Sequence, residues 1–413
     1  MTILEKKIEV KNEEQKKALN AWANNKFKGT VIAATGFGKT RVGVVAIGKI
    51  LTANKKAKAL VVVPTTQLKN QFEAEFIKWD YADVLDRVQI LCYHSAYKLE
   101  GEEFEVVVAD EIHLGLSKEY IKFFYRNKYN RLLCMTATKP DNIEDLEKLT
   151  DWMAPIVYEI NLDKCVKLGL VSKYEIYCLP IKLSEQEKID YKKANNMFVH
   201  YKYKLGQFDA FNEAKRIIGS NNVTALEKQH AVMFYKAMRE RKAIVDFAEN
   251  KIYGVKDILI KQGKSLLKVN NERSKIITFA GANDFTDRIA QCINNNKDVF
   301  YKAVTYHSGM TPKKREKALR EFKMSSADVI CSTKALNQGF DMPSASMAII
   351  CGLTSKSLTM IQRVGRILRF AEHKTGRIII LYIKNTQEEK WLKSAVKGLT
   401  NVNWVDDLTE ILL

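Results

Sequence analysis

The chain has 413 residues, 46% of them hydrophobic and 28% charged. That length exceeds one ordinary domain, and that composition excludes wholesale disorder. A surplus of 67 Lys and Arg over 48 Asp and Glu, net +19, points to a polyanionic partner, with nucleic acid the first candidate.

The surplus is uneven. Residues 1–160 carry 24 basic and 22 acidic side chains, residues 161–413 carry 43 and 26. Electrostatic contact with the partner is therefore expected mainly from the second part of the chain. The seven cysteines are scattered, no two closer than thirteen residues, so neither a zinc ribbon nor an iron–sulfur cluster is expected. They read as reduced, buried thiols. The N-terminus lacks the apolar run of a secretion signal, and no stretch approaches the length of a membrane span. A cytoplasmic chain is the expectation, in the host cytoplasm if the gene is a phage's.

In chain order, Thr30–Ala34, Ala59–Val63, Val88–Cys92, Val106–Asp110 and Arg131–Thr136 read as strands, with a helix from about Arg41 to Leu51. Short β-branched runs alternating with helical patterns predict an α/β domain with a parallel sheet over residues 1–160. From Ser184 to about Gln262 the pattern turns helical. Ser184 and Glu187 have capping-box spacing, and Gly206 and Gly219–Ser220 mark breaks. Residues 184–242 hold twelve basic and seven acidic groups among aromatics such as Phe198, Tyr203, Phe211 and Phe234. This reads as a small bundle with aromatic core and solvated lysines, as an insert that turns some aromatics toward nucleic acid, or as both at once. The strand rhythm returns at Lys275–Phe279, Lys302–Tyr306, Asp328–Ser332, Ala345–Cys351 and Arg377–Ile383. Residues 161–413 are thus expected to form a second α/β domain that contains the insert, with a ligand cleft between the two domains.

Ala33-Ala34-Thr35-Gly36-Phe37-Gly38-Lys39-Thr40 joins a strand to a helix. Glycines let backbone N–H groups curl around a phosphate, the helix N-terminus adds positive potential, and Lys39 reaches the outer phosphates. The Thr40 hydroxyl is placed to ligate Mg²⁺. The full G-x-x-x-x-G-K-[ST] pattern would have Gly where Ala33 stands. Asp110 and Glu111, ending an apolar strand, suit the rest of such a site. Asp110 would hold Mg²⁺ through water, and Glu111 would orient and activate the attacking water.

Asp110-Glu111-Ile112-His113 after a Gly-x-Gly-Lys-Thr loop resembles the DExH branch of superfamily 2 helicases and translocases. Pro64-Thr65-Thr66-Gln67-Leu68 resembles motif Ia, Thr136-Ala137-Thr138 motif III, and Lys275–Phe279 the motif IV strand. Ser332–Pro343 resembles motif V and Gln362–Arg369 motif VI. The resemblance implies two RecA-like parallel-sheet domains in tandem with a helical insert, binding ATP and Mg²⁺ in the cleft between them. It implies nucleotide contacts at Thr35, Gly36, Gly38, Gly339 and Asp341, with catalytic roles for Lys39, Glu111, Gln362, Arg366 and Arg369. Arg366 and Arg369, three apart on one helix face, would reach the ATP phosphates as arginine fingers on closure. Gln15 stands where the family reads adenine, although the Arg and Tyr that usually accompany it are missing here. Nucleic-acid contacts are implied at Pro64, Thr65, His94, Thr278, His307, Ser332 and Thr333.

The compact plan is most similar to phage recombination helicases of the UvsW type, which remodel forks and four-way junctions. A monomeric, ATP-driven DNA helicase or branch-migrating translocase is the leading expectation. An RNA-unwinding DExH ATPase, or an ATP-gated clamp or motor subunit without unwinding activity, are the alternatives.

Overall fold

The computed structural model describes residues 3–34, 36–137, 139–140, 142–171, 173–206, 209–269, 275–333, 345–353 and 375–411. Two sheets organise them. The first contains β1 (Lys28–Ala33), β2 (Ala59–Val63), β3 (Val88–Cys92), β4 (Glu103–Asp110), β5 (Lys128–Thr136) and β6 (Ile156–Ile160), in the order β3-β2-β4-β5-β1-β6. Every pairing in it is parallel. The helices that join these strands are α1 (Ile3–Asn24), α2 (Lys39–Ala53), α3 (Thr66–Lys78), α4 (Tyr93–Ala96), α5 (Lys122–Arg126) and α6 (Ile143–Glu147). All five residues of β2 are buried, as a strand covered on both faces requires.

The chain then passes through α7 (Leu162–Lys167) into the second sheet. This holds β7 (Lys173–Ile181), β8 (Lys275–Phe279), β9 (Ala303–Tyr306), β10 (Val329–Ser332), β11 (Ala345–Ile350), β12 (Thr375–Ile383) and β13 (Val402–Trp404). Their order is β13-β7-β12-β11-β8-β10-β9, again parallel throughout. The expected strands are present within a residue or three at their ends. Sequence reading gave no sign of β6 or β13. Both are short, and the three residues of β13 are too few to display a period.

Between β7 and β8 run α8 (Glu185–Lys204), α9 (Ala210–Gly219), α10 (Ala225–Asp246) and α11 (Glu249–Val269). The Ser184 capping box is present, and Thr224 with Glu227 makes a second one on α10. The four helices serve different ends. Ile252, Val255, Ile258 and Leu259 of α11 recur at helical spacing and pack with Tyr177, Ile276 and Ile349 of the sheet. So α11 belongs to a helical layer of the second sheet, together with α12 (Asn283–Asn295), while α13 (Pro312–Lys323) packs through Phe322 with the core on the other face. The insert proper is α8 to α10, with a satellite core of Leu205, Ala214, Ile217, Ala231 and Phe234. Phe198 stacks on Phe234 with ring centres 5.2 Å apart, and the Arg241 guanidinium lies 4.0 Å from the Phe198 ring. Tyr203 and Phe211 are exposed, as are Ile189, Val199, Leu226 and Val232. The aromatics therefore divide between a packed core and an exposed surface.

Six of the seven cysteines are buried thiols and Cys292 is half-buried. Burial pushes the Cys178 and Cys331 thiols up to about 12. No described helix is long and apolar enough to cross a membrane.

Candidate nucleotide site

The loop after β1 turns on two glycines in the left-handed region, Gly36 at φ +96° and Gly38 at φ +90°. A Cβ on Gly38 would lie 2.5 Å from Gln15 Nε2, so a larger residue there would displace the Gln15 amide as well as strain the backbone. Helix α2 starts at Lys39 with Gly38 as its N-cap and no side-chain capping bond. Its first N–H groups are thus left for a ligand or solvent. Lys39 Nζ donates to Ala33 O at 2.9 Å, bending back over the loop, and Thr40 is half-buried at the first turn. Thr35 lies outside the described residues.

β4 is flanked by β2 and β5, and it delivers Asp110 to the end of the sheet beside this loop. Asp110 is 5% exposed and its Oδ1 has no hydrogen-bond partner. Burial, and then the neighbouring Glu111 charge, raise its carboxyl to about 7, against the pull of Lys39. That opposing pull puts Lys39 within electrostatic reach of the carboxylate. Glu111 sits at φ +50°, an uncommon conformation for a non-glycine residue. Its Oε2 accepts no hydrogen bond and lies 3.5 Å from His113 Nδ1, which is also 3.2 Å from Thr136 Oγ1 at the end of β5. The Tyr93 hydroxyl fixes the strand end by donating to Asp110 O at 2.9 Å.

A buried carboxylate with an orphan oxygen, a second acid beside it and a hydroxyl at Thr40 form a hard-oxygen set that suits Mg²⁺. The loop suits a triphosphate. Gln15 reaches the loop from α1, where it is 4% exposed and donates Nε2 to Phe37 O at 2.7 Å. Its Oε1 accepts from Arg41 Nη1 at 2.9 Å.

The residues expected to meet nucleic acid fall into two groups. Pro64 and Thr65 are half-buried and His94 is exposed. Thr65 is the N-cap of α3, where its Oγ1 accepts from Leu68 N at 3.4 Å and keeps its own proton to donate. His94 lies in the short helix α4. In the second sheet the expectation needs correcting at two positions. Thr278 and Ser332 are fully buried, and the Ser332 hydroxyl donates to Thr333 O at 3.1 Å, so neither side chain has surface to offer. Thr333 is 7% exposed. His307 is also nearly buried, its Nε2 3.2 Å from Asp287 Oδ1. Gly339, Asp341, Gln362, Arg366 and Arg369 lie outside the described residues.

Two protein families match segments of the chain. Type III restriction enzyme, res subunit, matches residues 9–91, and the helicase conserved C-terminal domain matches residues 258–371. The DNA 3′-5′ translocase XPB2 of Sulfurisphaera tokodaii is 27% identical over 404 residues, covering 94% of this chain and 84% of that protein. A Methanocaldococcus jannaschii protein that carries the name of an ATP-dependent RNA helicase is 22% identical over 462 residues, covering 90% of this chain and 58% of that one. Among solved structures, Dbp5 of S. cerevisiae bound to RNA and ADP BeF3 has the same fold. It matches with a TM-score of 0.58 at 13% identity, over 95% of this chain and 89% of that one.

These matches support a superfamily 2 helicase. Such a helicase implies ATP use, normally with Mg²⁺, and activity that depends on nucleic acid. Sequence reading missed Arg41 and Trp79, which stand beside Gln15. The Arg41 guanidinium carbon lies 3.8 Å from the Trp79 ring centre. The signal was present in part, because Arg41 directly follows Gly-Lys-Thr. Trp79 ends a helix whose only local cue is packing, so nothing marked it.

Proposed function

We propose that the chain is an ATP-driven DNA helicase or translocase that unwinds or branch-migrates forked and junction DNA. One observation carries the chemistry: buried Asp110 and half-buried Glu111, each with an unpartnered oxygen, are delivered beside the Lys39 loop. The match along nearly the whole chain to a protein named as a DNA translocase favours DNA as the track. The relative named as an RNA helicase favours the second reading, an RNA-driven ATPase.

In this mechanism the loop N–H groups and Lys39 bind the β- and γ-phosphates. Thr40 and Asp110 would hold Mg²⁺, which when bound would supply positive charge to the phosphoryl oxygens. Glu111 Oε2 orients the attacking water and takes its proton, and His113 beside it links this carboxylate to the end of β5. Gln362, Arg366 and Arg369 are assigned to the γ-phosphate from the second domain, and Gly339 and Asp341 to the nucleotide. Closure of the domains would then require ATP, and hydrolysis would release it. Pro64, Thr65 and His94 contribute short contacts on the first domain. The basic second part, including the exposed apolar and basic faces of α8 to α10, holds the backbone of the track.

The test is strand separation and junction resolution by the full chain with ATP, using forked DNA, four-way DNA and RNA duplexes. Conversion of the branched DNA substrates supports the reading. Unwinding of RNA alone would sink it in favour of the second.

A further inference from the structure

A cavity of about 340 Å³, at the small end of ligand pockets, opens beside the phosphate loop. Ile8, Asn12 and Gln15 of α1 line one side, and Arg41, Glu75 and Trp79 line the other. The second wall is a fixed platform. Trp79 Nε1 donates to Glu75 Oε2 at 2.6 Å, which sets the plane of the indole. At 3.8 Å from the indole centre, the Arg41 guanidinium is in stacking range. Its Nη1 donates to Gln15 Oε1 at 2.9 Å and to Asn12 Oδ1.

Gln15 is poorly disposed to read a base. A glutamine that recognises adenine offers one N–H and one oxygen lone pair together to the base edge. Here Nε2 donates to Phe37 O at 2.7 Å and reaches toward Gly38 O at 3.4 Å, so both of its protons are directed at the loop. The oxygen is already bonded to Arg41. Asn12 and Gln71, which also line the cavity, are exposed amides. The Asn12 oxygen is bonded to Arg41, whereas the Gln71 amide can rotate to present either a donor or an acceptor, and so accommodate a 6-amino or a 6-oxo purine.

We propose that the nucleotide base is held by stacking against the Arg41–Trp79 pair in this cavity, while Gln15 braces the phosphate loop, so that the site takes purine nucleotides without reading their edges. This rests on the loop being a nucleotide site. Arg41 joins the two jobs, because the side chain that stacks on the base is also tied to the side chain that holds the loop.

Calorimetric binding of ADP, GDP and inorganic pyrophosphate to the full chain tests it, without requiring turnover. The wild type should bind ADP and GDP within about fivefold of each other. Trp79→Ala should weaken both about tenfold or more, as loss of a base–aromatic stack does, and leave pyrophosphate unchanged. Trp79→Phe, which keeps an aromatic face, should restore most of the affinity and shows that the position tolerates substitution. Gln15→Ala should weaken both nucleotides by a similar factor without altering their ratio. The proposal is overturned by an ADP preference of about a hundredfold that collapses in Gln15→Ala. It is equally overturned if Trp79→Ala binds ADP as the wild type does. If the wild type binds none of the three ligands, the nucleotide-site reading falls with it. Pyrophosphate binding with no effect of Trp79 sinks this proposal alone.

Discussion

Two buried carboxylate sites, one in each half of the chain, are built in opposite ways. Glu388 has no exposed surface, and both its oxygens are engaged, Oε1 by Lys251 Nζ at 2.7 Å and Oε2 by Ile383 N at 2.9 Å. Lys251 is equally buried and also donates to Cys351 O at 2.8 Å. Asp110 is nearly as buried, but one of its oxygens has no partner and its neighbour is a second acid. Burial raises both carboxyls; the Lys251 partner opposes the rise at Glu388, whereas Glu111 adds to it at Asp110. A buried charge without full compensation costs stability and persists where it serves chemistry. The Glu388 pair is therefore a staple that ties α11 to the helix Gln387–Ala395 and to the end of β11, while the Asp110 pair has the build of the reaction site proposed for it.

This contrast can be broken by substitution. Lys39→Ala and Glu111→Gln should each lower nucleic-acid-stimulated ATP turnover by about a thousandfold or more, because phosphoryl transfer relies on charge placement. Binding of forked DNA should stay largely intact, and the melting temperature of Glu111→Gln should hold or rise as the like charge beside Asp110 is removed. A large loss of stability in Glu111→Gln would contradict the distinction.

Lys251→Met should act in the reverse sense. Leaving Glu388 buried and unpaired should destabilise the fold by about 3–5 kcal/mol in denaturant titration. Lys251→Met combined with Glu388→Gln, which keeps an acceptor for Ile383 N, should recover most of that loss. If the double variant is no better than the single one, the staple is not an ion pair in energetic terms.

A smaller effect probes the insert. Replacing residues 201–230 by a short turn removes the exposed Tyr203, Phe211 and Leu226 together with Leu205, Ala214 and Ile217 of the satellite core. The expected outcome is a several-fold loss of base pairs opened per ATP hydrolysed, with ATPase itself little changed. Unaltered coupling would assign the exposed faces of the insert to some other role.

Much of this was legible in the sequence. The loop, the carboxylates and most of the strands follow from local patterns: apolar runs of four to nine residues, glycines at a turn and charged residues at strand ends. What was not legible depends on distance in the chain. Gln15 was singled out for reading adenine, yet its amide is directed at Phe37 O, 22 residues away. Nothing local could reveal that bond. The Lys251–Glu388 pair spans 137 residues, and an isolated lysine on a helix reads as solvated. Thr278 and Ser332 were assigned to nucleic acid through motif resemblance, whereas parallel pairing of β8 with β10 and flanking helices bury them completely. α11 was grouped with the insert because its helical pattern is continuous with the preceding helices. Only packing against the sheet separates it.

In the proposed function, ATP chemistry at the Lys39–Asp110–Glu111 site is driven by DNA gripped largely by the basic second part. Steady-state ATP hydrolysis by the full chain tests this most directly, measured alone, with duplex, forked and four-way DNA, and with single-stranded RNA. The account predicts at least tenfold stimulation by branched DNA that fades steeply as salt rises from about 50 to 200 mM, because phosphate contacts release counterions. Stimulation by RNA alone, or a DNA response indifferent to salt over that range, would contradict it.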